Sequence, residues 1–244
     1  MHLQFVGSGD AFGSGGRLAT CFHVAGERAN FLIDCGASSL IGLKRLGIAR
    51  DAIDTILVSH FHGDHFGGIP YFVLDSHFSK RTRPLVIAGP PGIEGWYLRA
   101  LEAAFERFSE IKLAFDLQLV TLPERTATTL GTLRVTPFPV VHGNSGGPFY
   151  AYRIEVEDRV IAYSGDTEWT DTLTEVARDA DLFVIECYAY DKPIRNHLNL
   201  KTIEQNLARL GARKLVLTHM NDDMLAMRHK VAHVTASDGM VIDL

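Results

Sequence analysis

The chain has 244 residues and a mass of 27.0 kDa, with 46% hydrophobic residues, 22% charged residues and a formal net charge of -5. This balance is ordinary for a globular domain and excludes a generally basic nucleic-acid-binding surface, although a few local cations could still attract phosphate. The length suits one large α/β domain, so we expect a single domain over residues 1–244.

No window of the sequence is apolar enough to span a membrane, and the N-terminus lacks the pattern of a signal peptide, which predicts a cytoplasmic protein. Three cysteines, Cys21, Cys35 and Cys187, are odd in number and lack CxxC spacing. We therefore expect buried thiols, and neither a disulfide nor a cysteine-based zinc site.

The first fifty residues predict a β-meander followed by a helix. Short strands are expected at residues 2–6, 19–25 and 30–34. A glycine-rich segment, GSGDAFGSGGR, separates the first two strands, and two interpretations of it stay open: a substrate-lining loop and a plain flexible loop. Apolar residues within 38–46 fall on one helical face, with Gly47 at the expected C-cap.

The segment SHFHGDHFGG has the highest density of candidate metal-binding side chains in the chain. It follows a continuous apolar run at 53–58, which predicts a buried strand. Three imidazoles and one carboxylate within six residues suit zinc or a similar divalent ion. Because a tight turn cannot aim four adjacent side chains at one tetrahedral centre, we expect two ions, one shared by His60 and His62 and the other facing Asp64 and His65. A histidine-rich surface loop is the alternative, and the position after a buried strand disfavours it.

The remaining pattern alternates between helices and strands, which indicates an α/β protein. Helices are expected at residues 69–78, from 93 to about 108, and from about 201 to 210. Strands are expected at residues 84–89, 113–121, 133–140, 149–155, 159–163, 182–185 and 214–218.

The motif His60-x-His62-x-Asp64-His65 after a strand resembles the signature of the metallo-β-lactamase superfamily. The resemblance implies an αββα sandwich of two mixed sheets flanked by helices. It also implies three further metal ligands, each after an apolar run: His142 in PVVHGN, a bridging Asp166 in YSGDTEW, and His219 in LVLTHM. The implied metal ligands are therefore His60, His62, His142, Asp64, His65, Asp166 and His219.

A carboxylate and a histidine in the second half resemble one branch of that superfamily, ribonuclease Z and its smaller phosphodiesterase relatives. Glu186 follows a buried run in FVIECYAYD, and His197 lies in RNHLNLKT just before a predicted helix. In the resembling proteins such a Glu orients a His that is not a metal ligand. A carboxylate raises the pKa of a neighbouring imidazole, which would make His197 a proton donor for a leaving alkoxide. The alternative is that His197 caps the helix.

The chain lacks one prominent feature of ribonuclease Z. Those enzymes carry a protruding arm for transfer RNA between the histidine that matches His142 and the aspartate that matches Asp166. Only 24 positions separate these two residues here, so the arm has no room. A small or flexible phosphodiester, such as a cyclic nucleotide or a short oligonucleotide, fits better than transfer RNA.

We therefore expect a dinuclear metal-dependent hydrolase, most simply a phosphodiesterase. Two divalent ions, zinc first with manganese or iron as alternatives, would activate water and favour anionic substrates. The expected catalytic residues are Asp64, Glu186 and His197. Four aromatic side chains near them could stack on a base or pack in the core: Phe61, Trp169, Tyr188 and Tyr190.

Two other functions stay open. The nearer is a lactone, ester or thioester hydrolase on the same metal site, which would not need Glu186 and His197. The further one is an iron-dependent oxidoreductase, which has little use for a complete second ligand set. The expected partners are a small anionic substrate, such as a nucleotide or a short oligonucleotide, and a second copy of the chain in a homodimer.

Overall fold

A computed structural model describes residues 1–244 and contains two mixed seven-stranded sheets. From edge to edge, the first sheet consists of β14 (Val241–Asp243), β1 (His2–Gly7), β2 (Cys21–Ala25), β3 (Asn30–Ile33), β4 (Thr55–Leu57), β5 (Leu85–Gly89) and β6 (Leu117–Thr121). The second sheet consists of β13 (Val234–Thr235), β12 (Leu215–Thr218), β11 (Leu182–Glu186), β10 (Arg159–Tyr163), β9 (Tyr150–Val156), β8 (Leu133–Pro139) and β7 (Thr128–Leu130). Apolar side chains of both sheets form one buried cluster, to which Phe22, Ile33, Tyr152 and Val184 belong.

Seven α-helices accompany the sheets: α1 (Ser39–Arg45), α2 (Gly63–Phe66), α3 (Ile69–Phe78), α4 (Ile93–Ala104), α5 (Thr172–Ala177), α6 (Leu200–Leu210) and α7 (Asp222–Met227). Phe72 and Leu101 of α3 and α4 share a second buried cluster with Ile87 of the first sheet. Ile203 of α6 shares a third cluster with Phe183 of the second sheet. This layering confirms the predicted αββα sandwich, and none of its helices is long and apolar enough to cross a membrane.

Most predicted elements are present, and two of them differ from their predicted limits by more than two residues. The predicted helix 93–108 is wrong in extent, since α4 ends at Ala104. The Glu102 carboxylate accepts hydrogen bonds from the Arg107 N–H at 2.7 Å and the Ser109 hydroxyl at 2.6 Å, which turns the chain away from the helix axis. The predicted strand 113–121 begins only at Leu117, because its partner β5 begins opposite that residue, at Leu85. The short elements α2, α5, α7, β7, β13 and β14 were not predicted.

Strand direction brings the chemistry to one edge of the sandwich. Strands β3 to β6 run parallel to one another in the first sheet, and β10 to β12 do so in the second. Within each set the carboxyl ends therefore point the same way. His60, His142, Asp166 and His219 each lie within three residues of the end of β4, β8, β10 or β12, and Glu186 ends β11.

Candidate metal centre

His60, His62 and His142 form a first cluster at this edge. Their inward ring nitrogens lie close together: His60 Nε2 is 3.0 Å from His62 Nδ1, and His142 Nε2 is 3.2 Å from the same atom. Two of these residues come from the motif after β4 and the third from the end of β8. The structure thus brings His142 together with His60 and His62, the two side chains that were expected to share one ion.

The outer nitrogens of this cluster fix which inward atoms carry lone pairs. Ser59 Oγ donates its proton to Asp34 at 2.8 Å, so it accepts the Nδ1–H of His60 at 3.1 Å. Backbone carbonyls accept the outer N–H of the other two imidazoles at 2.9 Å, Ser145 O for His62 and Asn196 O for His142. Three lone pairs facing one another at about 3 Å repel unless a cation lies between them, which is what a divalent ion supplies.

Asp64, His65, Asp166 and His219 form a second cluster, and all four are buried or nearly so. His65 Nε2 lies 3.2 Å from Asp64 Oδ2 and 3.3 Å from Asp166 Oδ2. His219 Nε2 lies 3.1 Å from the same Asp166 oxygen. That oxygen is also 3.5 Å from His142 Nε2 in the first cluster. The Asp166 carboxylate therefore stands between the clusters, where a bridging ligand would have to be.

Asp166 owes this position to the glycine before it. Gly165 has φ 58, and a Cβ there would lie 2.4 Å from the Tyr150 carbonyl oxygen. Only glycine fits such a turn without strain, so the chain can bend sharply after β10 and direct Asp166 into the site.

Asp34, at the end of β3, is a site residue that the sequence reasoning missed. It is fully buried and accepts hydrogen bonds from His65 Nδ1 at 2.7 Å, the Ser59 N–H at 2.7 Å and the Tyr163 hydroxyl at 2.9 Å. A carboxylate behind a histidine fixes its tautomer and turns its other nitrogen toward a metal. The backbone of Asp34 is left-handed, with φ 58, and its hydrogen bonds hold it in that conformation.

His219 is oriented by the segment that precedes β2. The hydroxyl of Thr20 donates to the Gly9 carbonyl at 3.1 Å, so it accepts the Nδ1–H of His219 at 3.2 Å. The His219 N–H donates to the Ser8 carbonyl at 3.2 Å. The glycine-rich segment therefore borders the second cluster through its first residues.

The charges of the two clusters differ. Burial lowers the pKa of His60 well below its usual value and also lowers the pKa of His142, so the first cluster offers neutral nitrogens. Burial would likewise lower the pKa of His65, but Asp166 and Asp64 raise it well above the usual value. Burial would raise the pKa of Asp64, but His65 lowers it to about 2. In the second cluster, the carboxylates thus stabilise a positive charge beside them.

Two buried atoms of the second cluster, His65 Nε2 and Asp166 Oδ1, have no hydrogen-bond partner. His65 Nε2 is near both carboxylates in distance but is not aligned with either as a hydrogen bond. Such orphaned polar atoms are costly to bury, and ion binding would satisfy both. With five imidazole nitrogens and two carboxylates, the donor set fits zinc or a similar divalent ion.

The predicted pair of Glu186 and His197 lies beside the first cluster. Glu186 is buried and accepts hydrogen bonds from His197 Nδ1 at 3.1 Å, from the Leu198 N–H at 3.3 Å and from the Thr167 N–H. Burial would lower the pKa of His197, but the Glu186 charge and hydrogen bond raise it to about 9. The His197 ring centroid lies 4.7 Å from that of His142. The pair therefore holds a proton-bearing imidazole next to the metal ligands.

The alternative role of His197 as a helix cap does not hold, because Asn199 caps α6 by accepting the Thr202 N–H at 2.8 Å. Of the four aromatic residues proposed to stack on a base, Tyr188 contacts this region, with its ring stacked on His197 at 4.4 Å. Phe61 does not face the site. It is buried and stacks on Trp96 at 5.3 Å.

The fold and the two clusters define a metal-dependent hydrolase of the metallo-β-lactamase fold, a protein that binds divalent metal. A family model described as anti-Pycsar protein Apyc1 matches residues 1–237, and the chain belongs to this family.

Relatives with known names agree with this class. The chain is 25% identical over 271 residues to a ribonuclease Z of Methanothermobacter thermautotrophicus, covering 91% of this chain and 87% of that one. It is 28% identical over 273 residues to a ribonuclease Z of Methanosarcina acetivorans, covering 91% and 88%. The crystal structure of the short form of human tRNase Z superposes with a TM-score of 0.80 at 24% identity, over 100% of this chain and 99% of that one. A diphosphatase of the PhnP family superposes with a TM-score of 0.80 at 21% identity, over 100% and 97%. The last two similarities show the shared fold.

Proposed function

We propose that this hydrolase is a dinuclear phosphodiesterase that acts on a small or flexible phosphodiester, such as a cyclic nucleotide or a short oligonucleotide. One ion would be held by His60, His62 and His142, and the other by Asp64, His65 and His219, with Asp166 shared between them. Zinc suits these nitrogen and oxygen donors, and manganese or iron are alternatives.

The pairing of Glu186 with His197 is the observation that carries the proposal. When bound, two divalent ions supply an activated water molecule and positive charge for the phosphoryl oxygens. Besides helping to hold its ion, the Asp64 carboxylate would orient that water and accept its proton. Glu186 holds Nδ1 of His197, so the other ring nitrogen is free to protonate the departing oxygen. A phosphodiester with an alkoxide leaving group needs such a donor, whereas an ester or a lactone does not depend on it to the same degree.

The space around the site supports a small substrate. Residues 143–149 and the strands β9 and β10 occupy most of the chain between His142 and Asp166, so no arm protrudes there. The alignment with the Methanothermobacter protein runs over 271 residues although only 91% of this 244-residue chain takes part, so that relative has segments that this chain lacks. The relatives include ribonucleases Z and a diphosphatase, which supports a phosphoryl substrate.

A substrate panel on metal-replete protein tests the proposal. The panel contains cyclic nucleotides, short RNA and DNA oligonucleotides, a transfer-RNA precursor, a lactone and a thioester, and kcat/KM is measured for each. We expect the small phosphodiesters to have the highest kcat/KM. Turnover confined to the lactone or the thioester would refute the proposal, and a preference for the transfer-RNA precursor would refute the small substrate.

A further inference from the structure

Among the seven proposed ligands, His62 is the one whose metal-facing side chain is only partly buried. Its neighbours in the motif, His60 and His65, are enclosed by the strand ends, whereas His62 lies under the loop of residues 143–149. Its orientation must therefore come from that loop. We refer to residues 145–147 as the clamp.

Two successive carbonyl groups of the clamp bind the His62 ring and the backbone of the residue before it. Ser145 O accepts the Nε2–H of His62 at 2.9 Å, and Gly146 O accepts the N–H of Phe61 at 2.7 Å. The first bond fixes the tautomer of His62 and leaves Nδ1 as its coordinating atom. The second holds the backbone that carries the ring.

The clamp also rests directly on the imidazole. Gly146 has φ 84, and a Cβ at this position would lie 2.5 Å from Cδ2 and 2.8 Å from Nε2 of His62. A Cβ on Gly147 would lie 2.6 Å from the Phe149 ring, whose centroid is 5.8 Å from that of His62 and 5.1 Å from that of His142. The two glycines thus let backbone and Phe149 close over the first cluster without displacing its ligands.

We propose that the clamp is a positioning element that holds Nδ1 of His62 in the first metal position and so sets the affinity of that ion alone. The inference rests on the two-ion assignment of the proposed function. The second cluster takes its orientation from other elements, through Asp34 at the end of β3 and Thr20 before β2. A change in the clamp should therefore alter the metal affinity of the first site and leave that of the second site unchanged.

The test compares Gly146→Ala with Gly131→Ala. Gly131, in the turn between β7 and β8, also has a positive φ, 57, but a Cβ there would meet no atom within 4 Å. Both variants place alanine in a left-handed conformation, and only Gly146→Ala collides with His62. Chelator-stripped protein is titrated with zinc in the presence of a competing chelator.

We expect Gly146→Ala to weaken the first site by about 10- to 100-fold, the usual effect of losing a partner behind a metal ligand, and to leave the second site unchanged. Gly131→Ala should leave both sites unchanged. Equal weakening of both sites, or no weakening in Gly146→Ala, would overturn the inference. Wild-type protein that binds a single ion would instead contradict the proposed function.

A second variant shows whether the effect passes through His62. His62→Ala removes the coordinating atom, so adding Gly146→Ala to it should cause no further loss at the first site. An additive loss would mean that the clamp acts elsewhere.

Nitrogen-15 NMR of the zinc-loaded wild type gives a reading that does not need the Gly146 variant to fold: His62 should carry its proton on Nε2 and the other four ligand histidines on Nδ1. A proton on Nδ1 of His62 would overturn the inference.

Discussion

Replacing His197 separates proton donation from metal binding. His197 contacts Glu186, stacks on Tyr188 and meets His142 of the first cluster edge-on, but both metal clusters are complete without it. We therefore expect His197→Gln to keep its metal content and to slow hydrolysis of substrates with poor, alkoxide-like leaving groups. General acid catalysis contributes about 10² to 10⁴ in rate, which corresponds to about 2.7 to 5.4 kcal/mol of barrier.

The choice of glutamine follows from the surroundings of Glu186. Alanine at position 197 would leave a buried carboxylate with only the Thr167 and Leu198 N–H groups as donors, at a cost of about 1 to 3 kcal/mol in stability. A glutamine amide can still donate to Glu186 but has no proton to give to a leaving group. His197→Gln should therefore lose as much rate as His197→Ala with a smaller fall in melting temperature.

The assay measures the rate at which each variant hydrolyses two substrates, an alkyl phosphodiester and a nitrophenyl phosphodiester. Nitrophenolate leaves without protonation, so its rate should fall less than tenfold while the alkyl rate falls by about 10² or more. Equal losses on both substrates, or full activity in His197→Gln, would show that His197 positions the substrate. Loss of metal from either variant would show that it is a ligand.

Three further predictions concern the metals and the core. Elemental analysis of metal-replete protein should return two divalent ions per chain, and a single ion would contradict the assignment of the clusters. Asp166→Ala should lose metal from both sites and nearly all activity, because one oxygen of Asp166 lies within 3.5 Å of ligands in both clusters; retention of two ions would show that it is not shared. Arg81→Met should lower the free energy of unfolding by about 3 kcal/mol or more in chemical denaturation, because the buried guanidinium donates to four main-chain carbonyls, and it should not change the metal content. A loss below about 1 kcal/mol would mean that these bonds stabilise little.

The seven proposed ligands were predictable because each follows an apolar run that reads as a strand, and parallel strands place their carboxyl ends together. Asp34 was not predictable in this way, because it is a single carboxylate that no spacing pattern links to the motif. Its contact with His65 spans 31 positions and exists only once β3 pairs with β4. The available signal was its place at the end of a predicted strand, the same place that marked Asp166.

Phe61 is the reverse case, a residue that was considered for the site because of its neighbours in sequence. It stands between His60 and His62, but alternate side chains of an extended chain point to opposite sides. When the two histidines face the first cluster, Phe61 must face away, and there it stacks on Trp96. The geometry that brings His60 and His62 into one cluster therefore also places Phe61 away from it.

The two halves of the site hold positive charge in different ways. The second cluster is buried and contains Asp64 as well as the shared Asp166, so Coulomb attraction in a poorly hydrated environment dominates there. The first cluster has three imidazoles and no carboxylate of its own, and it depends on their geometry. His142 contacts both His62 and His197, with ring centroids at 5.0 and 4.7 Å. The cluster that depends most on positioning is thus also the one beside the proton donor, so small displacements there should affect chemistry before they affect the fold.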